Sequence, residues 1–383
     1  MRTIPFGKPV IGDEEKRAAV EVLDSGNLAH GPRAQEFEQA FAAYAGATQA
    51  VSVSSCTAGL HLFYFAHGIG PGDEVIVPAQ THVATAHAVE LCGARPVFVD
   101  AEAATGNIDI DQIEGAITSR TRAVSVVHFL GLPVDMLRVC GTARKHDLLV
   151  LEDCALAIGS RLDGVHVGLW GDAGCFSFYP VKHITTGEGG MVATRHADLA
   201  ARLRLERAFG VDRGIGERTI PGVYDVVALG FNYRMNEIEA ALGLEQLRRM
   251  PSFAAKRREN FQALAAGLAG IEELEVLATG GGDRFTSSHY CLSAVLKPAL
   301  RAKRAEIVGG LRARGVGTSV YYPRPVPHLR YYEDKYGYGP DSFPAAAGIS
   351  SGSISLPVGP HLGPKDMEYI VESLKHALSE VRP

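Results

Sequence analysis

Short β-branched, apolar runs recur through residues 1–250, each separated from the next by a longer stretch whose apolar positions fall three or four apart. The runs QAVSVSS, DEVIVPAQ, ARPVFVD, RAVSVVHF, DLLVLED, CFSFYP and GGMVAT predict strands. Between them TAGLHLFYFAHGIG, HVATAHAVELCG and DMLRVCGTARKHD carry helical spacing, each beside a glycine or aspartate. Such alternation predicts an α/β fold, a mostly parallel central sheet with helices on both faces, since a parallel pair needs a crossover connection. Sheets of this kind gather ligands at the carboxyl ends of their strands.

The pattern changes after Met250. SFAAKRRENFQALAAGLAG is helical, HYCLSAVL strand-like, RAKRAEIVGGLRARG helical, TSVYYP strand-like and PKDMEYIVESLKHAL helical. We expect a large ligand-binding domain over residues 1–250, N-terminal segment included, and a smaller C-terminal α+β domain over residues 251–383. No repeat or flexible linker separates them, so the two pack as one body.

At 383 residues the chain exceeds what one hydrophobic core organises, and 46% hydrophobic with 21% charged residues gives ample core material. A net charge of −5 with no long basic run argues against nucleic acid as a partner. No apolar run is long enough for a membrane span and the start lacks a signal-peptide core, so a cytoplasmic protein without membrane attachment is expected. Six cysteines without a CxxC pair suit reduced thiols better than disulfides or zinc.

Candidate chemistry begins where DLLVLED ends in Glu152 and Asp153, which puts a carboxylate where an α/β sheet binds its ligand. Alone, Asp153 reads equally well as a cap on the next segment. Lys182 follows 29 residues later, after CFSFYP, so the two can meet at neighbouring strand ends. Pyridoxal 5′-phosphate needs this combination: a lysine to hold it as an imine and a carboxylate to keep its ring nitrogen protonated, so that the ring accepts electrons. SVSSCTAGLH adds a strand, a Ser-Ser-Cys-Thr turn and a helix start, which suit a phosphate dianion or a plain helix cap. TTGEGG lacks the Lys-Ser/Thr of a P-loop and no GxGxxG opens the first βα unit, so it reads as a tight turn and not as an ATP or NAD site. His82 and His87 lie five apart, off a common helix face, and no metal site is expected.

GCFSFYPVKHITTGEGGMVAT, LEDCALAIGS, LGFNYRMNEIEAALGLEQL and ISLPVGPHLGPKDMEYIV, with SGNLAHGPRAQEFEQAFAAYAGA near the start, together resemble the DegT/DnrJ/StrS sugar aminotransferase family of fold-type-I pyridoxal phosphate enzymes. The resemblance spans essentially the full chain. It implies Lys182 as the Schiff-base lysine that also moves the proton, Asp153 as the partner of the ring nitrogen, and Thr57 and Ser177 as phosphate-binding hydroxyls. Asn232 would reach the phosphate of the neighbouring subunit's cofactor, which implies a homodimer with shared sites. Cys56 stands where the family usually has glycine, His82 where an aromatic ring stacks on the cofactor, and Leu156 where histidine or glutamine is common.

A branch of the family carries histidine in place of the lysine and dehydrates deoxysugars; here Lys182 fills that position and His183 follows it. An extended strand end would point the two to opposite faces, leaving His183 a packing role. The resemblance further implies ping-pong transfer of an amino group from an amino acid, L-glutamate foremost, to a keto sugar, foremost a nucleotide-linked 4-keto-6-deoxyhexose. Substrate contacts are expected from Asn27 to Pro32 and from Tyr321, Tyr322, Arg324 and His328. A sugar dehydratase and a non-catalytic regulatory homologue remain the alternatives at this point.

Overall fold

In the computed structural model, residues 2–29, 31–212, 220, 222–278, 280 and 283–381 are described. All seven runs predicted as strands form one sheet: β1 (Gln49–Val53), β2 (Glu74–Pro78), β3 (Arg95–Val99), β4 (Thr121–Val127), β5 (Leu149–Asp153), then, after the two-residue strands β6 (Arg161–Leu162) and β7 (Val165–His166), β8 (Ala173–Ser177) and β9 (Gly190–Thr194). The order is β1-β9-β8-β5-β4-β2-β3, and β9 alone runs against the other six.

Burial on both faces explains the near-continuous apolar character of these strands. Cys175 and Val192 point into a core with the helices Cys56–Ala66 and Val83–Leu91, while their neighbours Phe176 and Met191 point to the opposite face, against the helix Pro32–Ala45. There Phe37, Phe41, Phe176 and Phe178 are fully buried. Each contributes about 1.5–3 kcal/mol by leaving water.

A second core lies beyond. Strands β10 (Leu274–Val276), β12 (Leu292–Leu296) and β13 (Ser353–Leu356) form an antiparallel sheet under the helices Arg304–Ala313 and Pro364–Val381, while β11 (Phe285–Thr286) pairs with β6. The helix Glu237–Leu268 runs unbroken through Pro251 and changes core along its length: Leu244, Leu247 and Phe253 pack with the large sheet, Phe261, Leu264 and Leu268 with the small one. Ile4, near the other end of the chain, also packs in the second core.

TSVYYP, expected as a strand, is not one. Only Ser319 bridges Ser355, through two backbone hydrogen bonds of 3.1 and 2.8 Å, before the chain leaves for the large sheet. Pro323, Pro325 and Pro327 lack the N–H groups that a longer ladder would use. Among the described residues no helix is long and apolar enough to cross a membrane.

Candidate active site

Strand register brings the site together. Asp153 pairs with Cys175, Ser177 with Gly190, and Gly190 with Val53, so the ends of β5, β8 and β1 meet along one edge of the sheet. The cavity there has a volume of about 230 Å³ and is lined by Cys56, Thr57, His82, Asp153, Ser177 and Lys182, with Tyr322 entering from the segment between the two cores.

Asp153 is buried and held by two donors, Thr85 Oγ1 to Oδ2 at 2.8 Å and the backbone N–H of Ala155 to Oδ1 at 3.0 Å. Each oxygen keeps a lone pair for a further donor in the cavity. Glu152, one residue earlier, points away from the cavity. Its carboxylate accepts from the N–H groups of Gly168, Trp170 and Gly171 at 2.6–2.8 Å and meets His128 Nε2 at 2.9 Å. His128 Nδ1 accepts from Val134 N–H, so the ring proton sits on Nε2 and donates to Glu152. With Cys154 these two residues place ligand atoms within 4.8 Å of one another, yet the carboxylate is filled by N–H donors and serves as a structural anchor.

Lys182 sits not on a strand end but in a turn closed by its N–H to Tyr179 C=O at 2.9 Å. Its ammonium lies 5.3 Å from the centre of the Tyr290 ring. Burial of that ammonium lowers the lysine's pKa, against the opposing pull of Cys56, Asp153 and Cys291. His183 is buried among other groups: its ring is 5.6 Å from that of Tyr290, and burial, then the charge of Arg257, hold its pKa well below the usual histidine value. Only the lysine faces the cavity.

At the other end the helix Cys56–Ala66 begins. Ser55 caps it, accepting from Ala58 N–H at 3.0 Å, which leaves the first-turn N–H groups and the Thr57 and Ser177 hydroxyls for an anion. Gly190 makes the close approach possible: a Cβ there would stand 2.5 Å from Ser55 C and 2.6 Å from Cys56 N. His82 caps the helix Val83–Leu91, with Nδ1 accepting from Ala84 N–H, and its ring stands edge-on to Tyr322 at 5.8 Å.

The other predicted contacts lie elsewhere. Asn232 is exposed and outside the cavity, at the base of a segment bridged by Ala208 with Asn232 and by Val211 with Val226. Tyr321 turns away: its hydroxyl bonds that of Tyr290 at 2.7 Å and its carbonyl accepts from Gln80. Arg324 is exposed and His328 half-buried, neither lining the cavity; of the loop Asn27 to Pro32, His30 is outside the described residues. Leu156 lines the cavity at the position noted above.

Sequence reasoning missed Thr85, Thr81 and Glu188. The i, i+4 spacing of the two threonines in QTHVAT was the available signal, and their hydroxyls meet at 2.7 Å behind Asp153. Glu188, read only as part of a turn, lines the cavity.

A cavity with an enclosed lysine, a fixed carboxylate beyond it and a helix N-terminus opposite fits a flat, cationic ring bearing a phosphate and an aldehyde. The profile of the DegT/DnrJ/EryC1/StrS aminotransferase family matches residues 9–375. The chain belongs to that family. The spore coat polysaccharide biosynthesis protein SpsC of Bacillus subtilis is 37% identical over 376 residues, covering 97% of this chain and 96% of SpsC. PseC of Helicobacter pylori, an aminotransferase involved in pseudoaminic acid biosynthesis, superimposes with a TM-score of 0.92 at 29% identity, covering 99% of this chain and all of PseC. The PLP form of Spr1654, a putative sugar aminotransferase of Streptococcus pneumoniae, gives 0.93 at 29% identity with both chains fully covered. Like other members of the DegT family, this chain is a sugar aminotransferase that works with pyridoxal 5′-phosphate, on a fold-type-I scaffold.

Proposed function

We propose that the chain transfers an amino group from L-glutamate to a nucleotide-linked 4-keto-6-deoxyhexose in two half-reactions, with Lys182 as the catalytic residue. The observation that carries this reading is the convergence of Lys182, Asp153 and the Ser55–Thr57 helix start on one cavity of about 230 Å³. Pyridoxal 5′-phosphate, when bound, supplies an aldehyde for amine exchange and a ring that accepts electrons.

The protein's residues do the rest. Lys182 Nζ, facing the cavity, would hold the cofactor through its aldehyde and, once freed by the donor amine, would act as the base that carries the proton in both halves. Burial favours the neutral amine that these steps need. Asp153, fixed by Thr85 and Ala155, would pair with the ring nitrogen and favour its protonated form. Thr57, Ser177 and the helix N-terminus would hold the phosphate, and His82, which lines the same cavity, would contact the ring.

The same proposal includes a homodimer with shared sites. Phe209, Ile220, Val223, Val226, Val227 and Leu229 are each about half or more exposed on the segment that ends at Asn232, an apolar patch that a second copy would cover. The pseudoaminic acid biosynthesis named for PseC, and the spore coat polysaccharide biosynthesis named for SpsC, favour a sugar acceptor destined for a surface glycan.

The test is the absorbance spectrum of the loaded wild type and of Lys182→Ala, before and after glutamate, followed by product analysis with a nucleotide-linked 4-keto-6-deoxyhexose. Glutamate bleaches the wild-type band and the variant does not turn over. An unchanged wild-type band removes glutamate as donor, and a band that survives in Lys182→Ala removes the assignment of the lysine.

A further inference from the structure

Arg257 is a buried cation that the chemistry above does not use. It lies on the helix Glu237–Leu268 with 5% of its surface exposed, and no carboxylate among the described residues pairs with it. Its guanidinium instead forks between two main-chain carbonyls, Nη1 to Tyr290 C=O at 2.9 Å and Nη2 to Lys182 C=O at 3.4 Å. Burial lowers its pKa to about 10, which leaves it charged at neutral pH. Burying a guanidinium without a counter-charge is costly.

A simple tether would not require that cost. One turn further along the same helix the neutral amide of Asn260 holds the carbonyls of Val358, Gly359 and Leu362 at 3.1–3.2 Å. What distinguishes Arg257 is which carbonyls it joins. Lys182 belongs to the turn after β8, at the edge of the large sheet, whereas Tyr290 leads into β12 of the small one. Tyr290 is itself fixed, through its N–H to Leu130 C=O at 3.3 Å and its hydroxyl to Tyr321 at 2.7 Å, and the Lys182 ammonium lies over its ring. Registering the two backbones therefore sets where the lysine's amine stands.

Resting on the reading of Lys182 given above, we propose that Arg257 is a positioning residue: its fork locks the Lys182 turn against Tyr290, so that Nζ is held for attack on an aldehyde in the cavity. In that attack Nζ bonds the aldehyde carbon, the aldehyde oxygen leaves as water, and nothing is oxidised or reduced.

The experiment uses the full-length apoprotein and two ligands, pyridoxal 5′-phosphate, which must bond to Lys182, and pyridoxamine 5′-phosphate, which binds the same cavity without doing so. Stopped-flow absorbance gives the rate of covalent attachment, borohydride reduction with peptide mass analysis gives its site, and titration gives the affinity of the amine form. In Arg257→Gln, and in Arg257→Lys, which keeps the charge but not the fork, attachment slows about tenfold, since a small displacement of a reacting group is enough for that. Pyridoxamine 5′-phosphate affinity stays within about twofold of wild type, as a group that does not touch the cofactor requires. A parallel fall in both, no change in either, normal attachment in Arg257→Lys, or failure of both variants to fold would each assign Arg257 to the fold alone and overturn the proposal. Lys182→Ala separates this from the underlying reading: if attachment persists there, the lysine assignment fails, whatever Arg257 does.

Discussion

Replacing Thr85 by valine, nearly the same shape without the hydroxyl, removes one of the two donors that hold Asp153. A hydrogen bond to a charged group is worth about 1.5–3 kcal/mol. In the free protein, water in the cavity replaces part of what is lost; with the cofactor bound, that water is gone and the Asp153 carboxylate lacks a donor. The lower figure therefore applies, about 1.5 kcal/mol, and cofactor affinity falls roughly tenfold. The hydroxyl of Thr81, paired with that of Thr85 at 2.7 Å, also loses a partner, which costs the apoprotein about 1 kcal/mol, or about 1 °C in Tm. Cofactor titration and thermal unfolding measure the two effects separately, and Thr85→Ser, which keeps the hydroxyl, is the control. Affinity within twofold of wild type in Thr85→Val, or equal losses in serine and valine, would refute the claim that this hydroxyl supports the carboxylate.

Three further outcomes follow from the same geometry. Gly190→Ala forces the Ser55–Cys56 backbone to shift, an overpacking cost of about 1–3 kcal/mol, so the affinity for pyridoxal 5′-phosphate falls about tenfold while that for pyridoxal, which lacks the phosphate, barely moves; equal losses for both would count against the phosphate site. His166 is fully buried with Nδ1 bonded to Val167 C=O and Nε2 accepting from Gly159 N–H, and its pKa is lowered to about 4, so between pH 6.5 and 4 the unfolded chain binds the extra proton and stability falls with pH. At pH 5 this amounts to about 2 kcal/mol relative to pH 7, and His166→Asn should show a flatter denaturant-midpoint profile; parallel profiles would sink the assignment. Leu229→Asp on the exposed apolar segment should shift sedimentation from dimer to monomer and abolish turnover, and a wild type that already sediments as a monomer excludes the shared site.

Those predictions draw on parts of the molecule that were unequally legible beforehand. Every strand of the large sheet was readable, because β-branched runs buried on two faces leave no polar alternation to confuse with a helix. The position of Asp153 was readable for a related reason: a charged residue that closes such a run stands at the strand's carboxyl end. TSVYYP failed because composition reports strand propensity but not a partner, and the neighbour it needed is engaged only at Ser355. Placing Lys182 on a strand end failed similarly, since the turn is set by one bond to Tyr179, invisible in the local pattern.

Arg257 shows where more could have been read. In AAKRRENFQ it looks like part of a solvated charge run, and its neighbours Arg258 and Glu259 are indeed exposed. Yet Met250, Phe253, Phe261 and Leu264 fall at helical spacing on one stripe, and Arg257 and Asn260 occupy that same stripe. A polar residue in the core register of a long helix must find buried partners, because the helix's own backbone groups are already paired. Arg257 and Asn260 find main-chain carbonyls of distant segments, and one of those segments holds the candidate lysine. The informative signal was thus a break in the apolar stripe, where the fold accepts a desolvation cost that the proposed positioning of Lys182 would account for.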